Sequence, residues 1–308
     1  KRDPGAMMIA EESTAWPKVT GDVADDGLGF TYKWNMGWMH DFLEYMKCDP
    51  IFRKYHQNQI TFSFMYAYSE NYVLVLSHDE VVHLKKSMIY KMPGTMPEKF
   101  GNLRAAYGLM MMHPGKKLLF MGQDFAQTAE WNEAKSLDWH LLEKYPEHQQ
   151  LNHYYCDLLH FYQNEPALYE LDDSPEGFAW INGSDAEHNM LTFCRMTKDK
   201  KHCLLCHFNF SPVAYDTFQS GVLCPGTYTE VFNSNALEYG GTGVVNPEPI
   251  EAVKESWDFK DYSIKYHLGA YGVCIFKFDY VEPKPEEPQK PAKRYTKEDI
   301  HKLAGHYK

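Results

Sequence analysis

Tyr72-Val73-Leu74-Val75-Leu76-Ser77-His78-Asp79-Glu80 runs five apolar residues directly into four polar ones. An unbroken apolar run of strand length, rather than an alternating one, fits a strand covered on both faces, as in a parallel sheet. Three more stretches are strand candidates: Met7 to Ala10, Phe30 to Trp34 and Lys117 to Met121. Helical spacing lies between them. Trp38, Met39, Phe42, Leu43 and Met46 form one apolar stripe, and Phe100, Leu103, Tyr107, Met110 and Met111 form another, closed by Pro114-Gly115. A third stripe, Leu151, Tyr155, Leu158, Leu159 and Tyr162, ends before Pro166. These stripes read as core packed on the sheet, and the alternation of elements predicts a parallel sheet with crossover helices.

From about Phe178 the pattern changes to alternating strands punctuated by Gly, Asn and Pro: Asn189 to Met196, Cys203 to Phe210, Gly226 to Asn233 and Ala270 to Phe278. That predicts an antiparallel sandwich. Glu282 to Lys293 is too poor in apolar residues to pack and reads as an extended linker. A short helix follows, with Thr296 as cap, Asp299 at the capping-box position and Gly305 as stop. The organisation expected is therefore residues 1–172, 173–281 and a tail of 282–308.

The 308 residues are 44% hydrophobic and 24% charged, ample for a packed core. The charge balance, 31 − 42 = −11, argues against nucleic acid as a partner, since that affinity rests on neutralised phosphates. A neutral polar ligand such as a sugar makes no such demand. No apolar run is long enough to cross a bilayer, so no membrane partner is expected. Seven scattered cysteines fit free thiols in a reducing compartment, and the protein is expected to be cytoplasmic. Cys203-Leu204-Leu205-Cys206 could open a zinc site, but no second pair follows and the strand reading is preferred. The chain begins Lys1-Arg2-Asp3-Pro4, without an initiator Met or secretory signal, and reads as cut from something longer.

Working residues of parallel α/β proteins sit where strands end. Glu11 and Glu12 follow the first apolar run, Ser77, His78, Asp79 and Glu80 the third, and Gln123 and Asp124 the fourth. Taken singly, Glu12, Glu80 and Asp124 are as well explained as helix caps or partners of Lys85 and Lys86; their convergence on one face argues for a site. Acidic residues with one His, no GxSxG and no phosphate-cradling loop narrow the chemistry to acetals or a divalent metal, and His78, Asp79 and His83 are thin support for metal. Acetal chemistry needs one protonated and one ionised carboxyl. Glu11, leaving an apolar strand beside a like charge, is expected to be the buried one with the raised pKa.

The stretches from Ala10-Glu11-Glu12-Ser13-Thr14-Ala15-Trp16-Pro17 through Tyr32-Lys33-Trp34-Asn35-Met36-Gly37-Trp38, the Ser77-to-His83 block, Pro114 to Gly122, Glu130-Trp131-Asn132 and Ser136 to His140 closely resemble the bacterial glycogen (1,4-α-glucan) branching enzymes. These belong to glycoside hydrolase family 13, in the α-amylase clan. The resemblance continues into the strand-rich part, at Asn209-Phe210-Ser211-Pro212-Val213 and Asn233 to Gly243.

The resemblance implies an α/β plus all-β chain: the C-terminal half of a (β/α)8 TIM barrel followed by an antiparallel β-sandwich. It implies cleavage of an α-1,4 bond and transfer of the glucan to a glucose 6-hydroxyl, with no cofactor. It assigns Glu11 as general acid/base, Asp79 to the hydroxyls and transition state of the reacting sugar and His78 to the same sugar, and leaves Trp16 either lining the glucan path or packing. The partners implied are the α-glucan and the missing N-terminal part of the same enzyme, because the family's nucleophilic Asp sits in an RxDA motif that this chain lacks. Three departures stand out. Leu84 occupies a usual Gly, Gln123-Asp124 a usual Asn-Glu, and Thr95-Met96-Pro97 a usual Asp- and Trp-containing stretch. Two rival readings stay open: a noncatalytic glucan-binding module, marked by glucan affinity without chemistry, and a clan hydrolase, marked by reducing sugar without branches.

Overall fold

Four parallel strands form one sheet in the computed structural model, which describes residues 5–282: β1 (Ile9–Ala10), β2 (Tyr32–Trp34), β3 (Tyr72–Leu76) and β4 (Lys116–Leu119), in that order. Parallel neighbours need crossovers. Between β2 and β3 these are α1 (Met36–Lys47), α2 (Pro50–Arg53) and α3 (Asn58–Tyr66). Between β3 and β4 they are α4 (Met88–Lys91) and α5 (Met96–Met112); α6 (His140–Lys144) and α7 (Pro146–Asn164) follow β4. β3 is the central, fully covered strand: Leu74, Val75 and Leu76 expose nothing. The Asn35 side chain accepts from the Trp38 N–H to start α1. Thr95 and Glu98 form a capping box at α5, so the departure at Thr95-Met96-Pro97 makes a helix start. α5 ends at the predicted Pro114-Gly115, where Gly115 takes a φ of 105°.

The first predicted strand shrinks to two residues, because β1 pairs only with β2 and leaves Met7 and Met8 exposed. The predicted linker beyond Glu282 and the helix around Thr296 lie outside the described residues.

The second part is antiparallel throughout. β5 (Phe178–Asn182), β6 (Met190–Arg195), β7 (Cys203–Asn209), β8 (Tyr215–Val222), β9 (Thr227–Asn233), β10 (Ile250–Glu251), β11 (Tyr262–Leu268) and β12 (Val273–Phe278) make a six-stranded sheet, β10-β9-β12-β7-β6-β5, and a β11-β8 pair. One face of the large sheet packs on the β8 and β11 pair through Cys203, Leu205, Ile264 and Phe276. The opposite face, with Leu204, Phe208 and Ile275, joins Leu103, Tyr107 and Leu158 in the core that also holds β3. Cys203 and Cys206 therefore lie on opposite faces of β7, as a three-residue step along a strand dictates, and cannot share a metal ion. All seven cysteines are free thiols, and burial pushes that of Cys206 up to about 12.

Two arginines, neither exposing any surface, pin the β part to the helices. Arg53 donates to the carbonyls of Phe210 at 2.6 Å and Met46 at 2.9 Å, and to Asn102 at 2.8 Å. Arg195 reaches the Met112 carbonyl at 2.8 Å and Asp172 at 3.1 Å.

Two buried histidines make the fold acid-sensitive. Burial lowers His113, bonded to Ser63 and the Pro114 carbonyl, and His207, bonded to Thr192, each to about 3 from 6.5. Lys117 and Arg195 beside His113 push the same way. Below pH 6.5 the unfolded chain takes up these protons and the folded chain does not, so stability falls between pH 6.5 and 3 by about 2.7 kcal/mol per pH unit for two protons. Urea midpoints at pH 7, 5 and 4 are expected to fall steadily, and His113→Asn to remove about one proton from the slope. A flat midpoint would contradict this.

Candidate active site

The strand ends of the parallel sheet carry the predicted residues, and the structure sorts them. Glu12 is locked: Lys33 Nζ donates to it at 3.0 Å and the Thr14 N–H at 2.8 Å, with Lys33 itself only 4% exposed. Hydrogen bonds from Thr14 and Lys33 hold its carboxyl down to about 2, so it stays ionised at neutral pH and is no proton donor. Glu80 is buried and caps its own turn, accepting from the Ser77 N–H. Half-buried Asp124 accepts from the Gly122 N–H at 3.1 Å and Asn152 at 2.9 Å, and burial raises its carboxyl above the usual range. These three are structural, with Lys33, Ser77 and Asn152 as partners in place of Lys85 and Lys86.

Glu11 makes no hydrogen bond or ion pair among the described residues. It is exposed, which corrects the expectation of burial: β1 is an edge strand, and nothing in the described chain covers its outer side. β2 separates its strand from β3, whose end presents Asp79. There the Asp79 N–H donates to Ser77 Oγ at 3.2 Å and the carboxylate lies 3.3 Å from His78 Nε2. The His78 ring stands edge-on to Trp131 at 5.6 Å and 5.9 Å from Phe120, while Trp131 donates its N–H to the Val81 carbonyl at 3.0 Å. An imidazole and a half-exposed carboxylate on an aromatic shelf can bind the hydroxyls and the ring face of one sugar.

Trp16 is not part of that cluster. It is 61% exposed and lines a separate cavity of about 560 Å3 with Trp34, Asp41, Phe62 and Tyr66.

Two side chains, Gln123 and Glu130, hold the site's loops in roles that the sequence did not reveal. Gln123, 4% exposed, donates to the carbonyls of Leu76 at 3.3 Å and Ser77 at 3.2 Å, tying the end of β3 to the segment after β4. The Glu130 carboxylate accepts from the N–H groups of Leu84 at 3.0 Å and Lys86 at 2.6 Å. Leu84 there has a φ of 67° and is 94% exposed, a left-handed conformation that costs a leucine about 1 kcal/mol. Among the described residues no group of three or more His, Cys, Asp or Glu could hold a metal ion, and no helix is long and apolar enough to cross a membrane.

The chain is similar to known proteins over most of its length. Residues 180–279 match the family described as alpha amylase, C-terminal all-beta domain. The chain is 49% identical over 273 residues to a 1,4-alpha-glucan branching enzyme of Shewanella frigidimarina, covering 89% of this chain and 37% of that protein. With a branching enzyme of Butyrivibrio fibrisolvens it shares 50% over 281 residues, 91% of this chain and 44% of the other. It therefore spans well under half the length of these curated relatives. Two solved structures share the fold at low identity. The alpha-amylase from H. orenii aligns at TM-score 0.55 and 15% identity, over 89% of this chain and 54% of its own. The type I pullulanase from Bacillus subtilis, solved with maltose, aligns at 0.60 and 13%, over 90% and 40%. Over about nine-tenths of its length the chain is therefore similar to the C-terminal part of 1,4-α-glucan branching enzymes, and its residues 180–279 match the C-terminal all-beta domain of alpha amylases.

Proposed function

We propose that this chain is the C-terminal part of a cytoplasmic 1,4-α-glucan branching enzyme. Residues 1–172 supply the later half of its (β/α)8 barrel and 173–281 its β-sandwich. β1 and β4 each pair on one side only, as consecutive strands taken from a closed parallel barrel would. Glu11 protonates the leaving O4 as the α-1,4 bond breaks, then takes the proton of the incoming 6-hydroxyl as the α-1,6 bond forms. Asp79 and His78 grip the reacting sugar and favour its oxocarbenium-like transition state. Trp16 lies further along the glucan path. The nucleophile that carries the glucan between the two steps is an Asp outside this chain, which contains no RxDA motif.

The sorting of the two adjacent glutamates carries this reading: Glu12 is tied up as a permanent anion and Glu11 is exposed at a strand end with no partner among the described residues. The test is branching of amylose, read as new α-1,6 linkages released by isoamylase. The protein expressed from its complete gene is expected to form them, and the 308-residue chain alone is not. Branching by the chain alone would overturn the division of the site, and reducing sugar without branches from the complete protein would make it a hydrolase.

A further inference from the structure

Far from the strand ends, a cavity of about 490 Å3 opens between the six-stranded sheet and the β8 and β11 pair, a volume usual for small-ligand sites. We propose that it is a second glucan-binding site, taking a stretch of α-1,4-linked glucan stacked on Trp257 and Phe259. The sugar class rests on the function proposed above; the site itself rests on the following geometry.

The turn Trp257-Asp258-Phe259-Lys260 is closed by Trp257 N–H to the Lys260 carbonyl at 3.0 Å and Lys260 N–H to the Trp257 carbonyl at 2.8 Å. Asp258 and Phe259 both have positive φ, 51° and 58°, which makes a two-residue hairpin of the kind that favours Asn-Gly or Asp-Gly. Phe replaces that Gly and is 104% exposed, so neither backbone preference nor burial accounts for it. Strain at an exposed aromatic points to a function. The turn is also rigid: the Asp258 carboxylate accepts from the Gly221 N–H at 2.8 Å and from Asn182 at 2.7 Å. Trp257, 45% exposed, is thereby fixed at the cavity rim. On the floor, His207 and Thr192 interrupt a sheet face that otherwise carries Cys194, Cys203 and Leu205, joined to each other at 2.8 Å. The rim's charged side chains are held by protein partners, Asp185 by His188 at 2.7 Å, Lys265 by Glu255 at 3.1 Å and Asp258 by the Gly221 N–H and Asn182. Aromatic platforms over a floor of polar groups, with the rim carboxylates already hydrogen-bonded, suit a neutral polyhydroxylated chain.

A second grip on a polymer raises its local concentration at the first. The experiment uses the complete protein in a Glu11→Gln background, which halts turnover, with Trp257→Ala and Phe259→Gly added singly. Binding is read by retardation in glycogen-containing gels and by calorimetry with maltoheptaose. Trp257→Ala is expected to weaken glycogen retention at least fivefold and to remove one maltoheptaose site. Phe259→Gly is expected to weaken retention severalfold without lowering the melting temperature, since Gly suits that φ and the side chain packs on nothing. Retention within twofold of the parent in both variants, or a parent that glycogen does not retard, would overturn the proposal. The two readings separate cleanly. Trp257-dependent binding in a protein that does not branch amylose keeps this site and removes the branching function, and branching with Trp257-independent binding does the reverse.

Discussion

Glu11→Gln in the complete protein is expected to lower the rate of amylose branching by about 10²–10⁴, the usual contribution of a positioned acid/base. The amide keeps the size and hydrogen bonding of the carboxyl and removes only its proton exchange, so glucan binding should change little. The loss should depend on the leaving group. Amylose departs as a sugar alkoxide and needs the proton, whereas α-maltosyl fluoride departs as fluoride and does not. The variant should therefore transfer from the fluoride in its first step at a rate near the parent's. Glu12→Gln is the control. Its carboxylate anchors buried Lys33, so its loss should appear as lowered stability, with no dependence on the leaving group. Amylose branching within tenfold of the parent in Glu11→Gln, or equal losses on both substrates, would remove Glu11 from the acid/base role.

The distinction behind that experiment was not legible in the sequence. Glu11 and Glu12 are adjacent and identical in type, and what separates them is Lys33, 21 residues on and across a strand pairing. β3 was legible to the residue because a strand covered on both faces shows an unbroken apolar run, and its polar continuation placed His78 and Asp79 at the same end. α3 was hidden for a physical reason: Ile60 and Phe64 face the core while Phe62 and Met65 face outward, so no stripe stands out. β8 was hidden because Tyr215–Val222 is mostly half-buried or exposed and carries Gln, Ser and Gly. β11 alternates well, with Ile264, Tyr266 and Leu268 inside and Lys265 and His267 outside, so its period of two is present in the sequence. The loop at Leu84 lies between these cases. The resemblance singled out the position, but only the φ of 67° shows that the backbone is left-handed there, held by Glu130.

Asp172→Asn is expected to destabilise the protein by about 3–5 kcal/mol, because it leaves a fully buried guanidinium without its counter-ion. Asp172 accepts from Arg195 at 3.1 Å, from the Gly115 N–H at 2.8 Å and from Lys116 at 3.0 Å. Burial opposes its charge, yet Lys117, Arg195 and Lys116 outweigh that and hold the carboxyl below the usual range. The dependence is mutual. Burial drives Lys117 down to about 7, against the pull of Asp172, while its ammonium donates to the carbonyls of His113 and Gly115. Arg195 stands on β6 and also reaches the Met112 and Leu168 carbonyls, so this cluster clamps the all-β part to the base of β4. The far end of β4 leads into Gln123 and Asp124, which brace the strand-end face, and loosening the clamp should reach the site through that strand. Urea unfolding of Asp172→Asn measures the cost, and Arg195→Met with Asp172→Leu tests its origin. If the penalty comes from an orphaned charge, the double replacement should cost less than the two single ones added together. A loss under about 1 kcal/mol in Asp172→Asn would mean that the carbonyls around Arg195 suffice to solvate it, as they do for Arg53, and that the clamp works through hydrogen bonds alone.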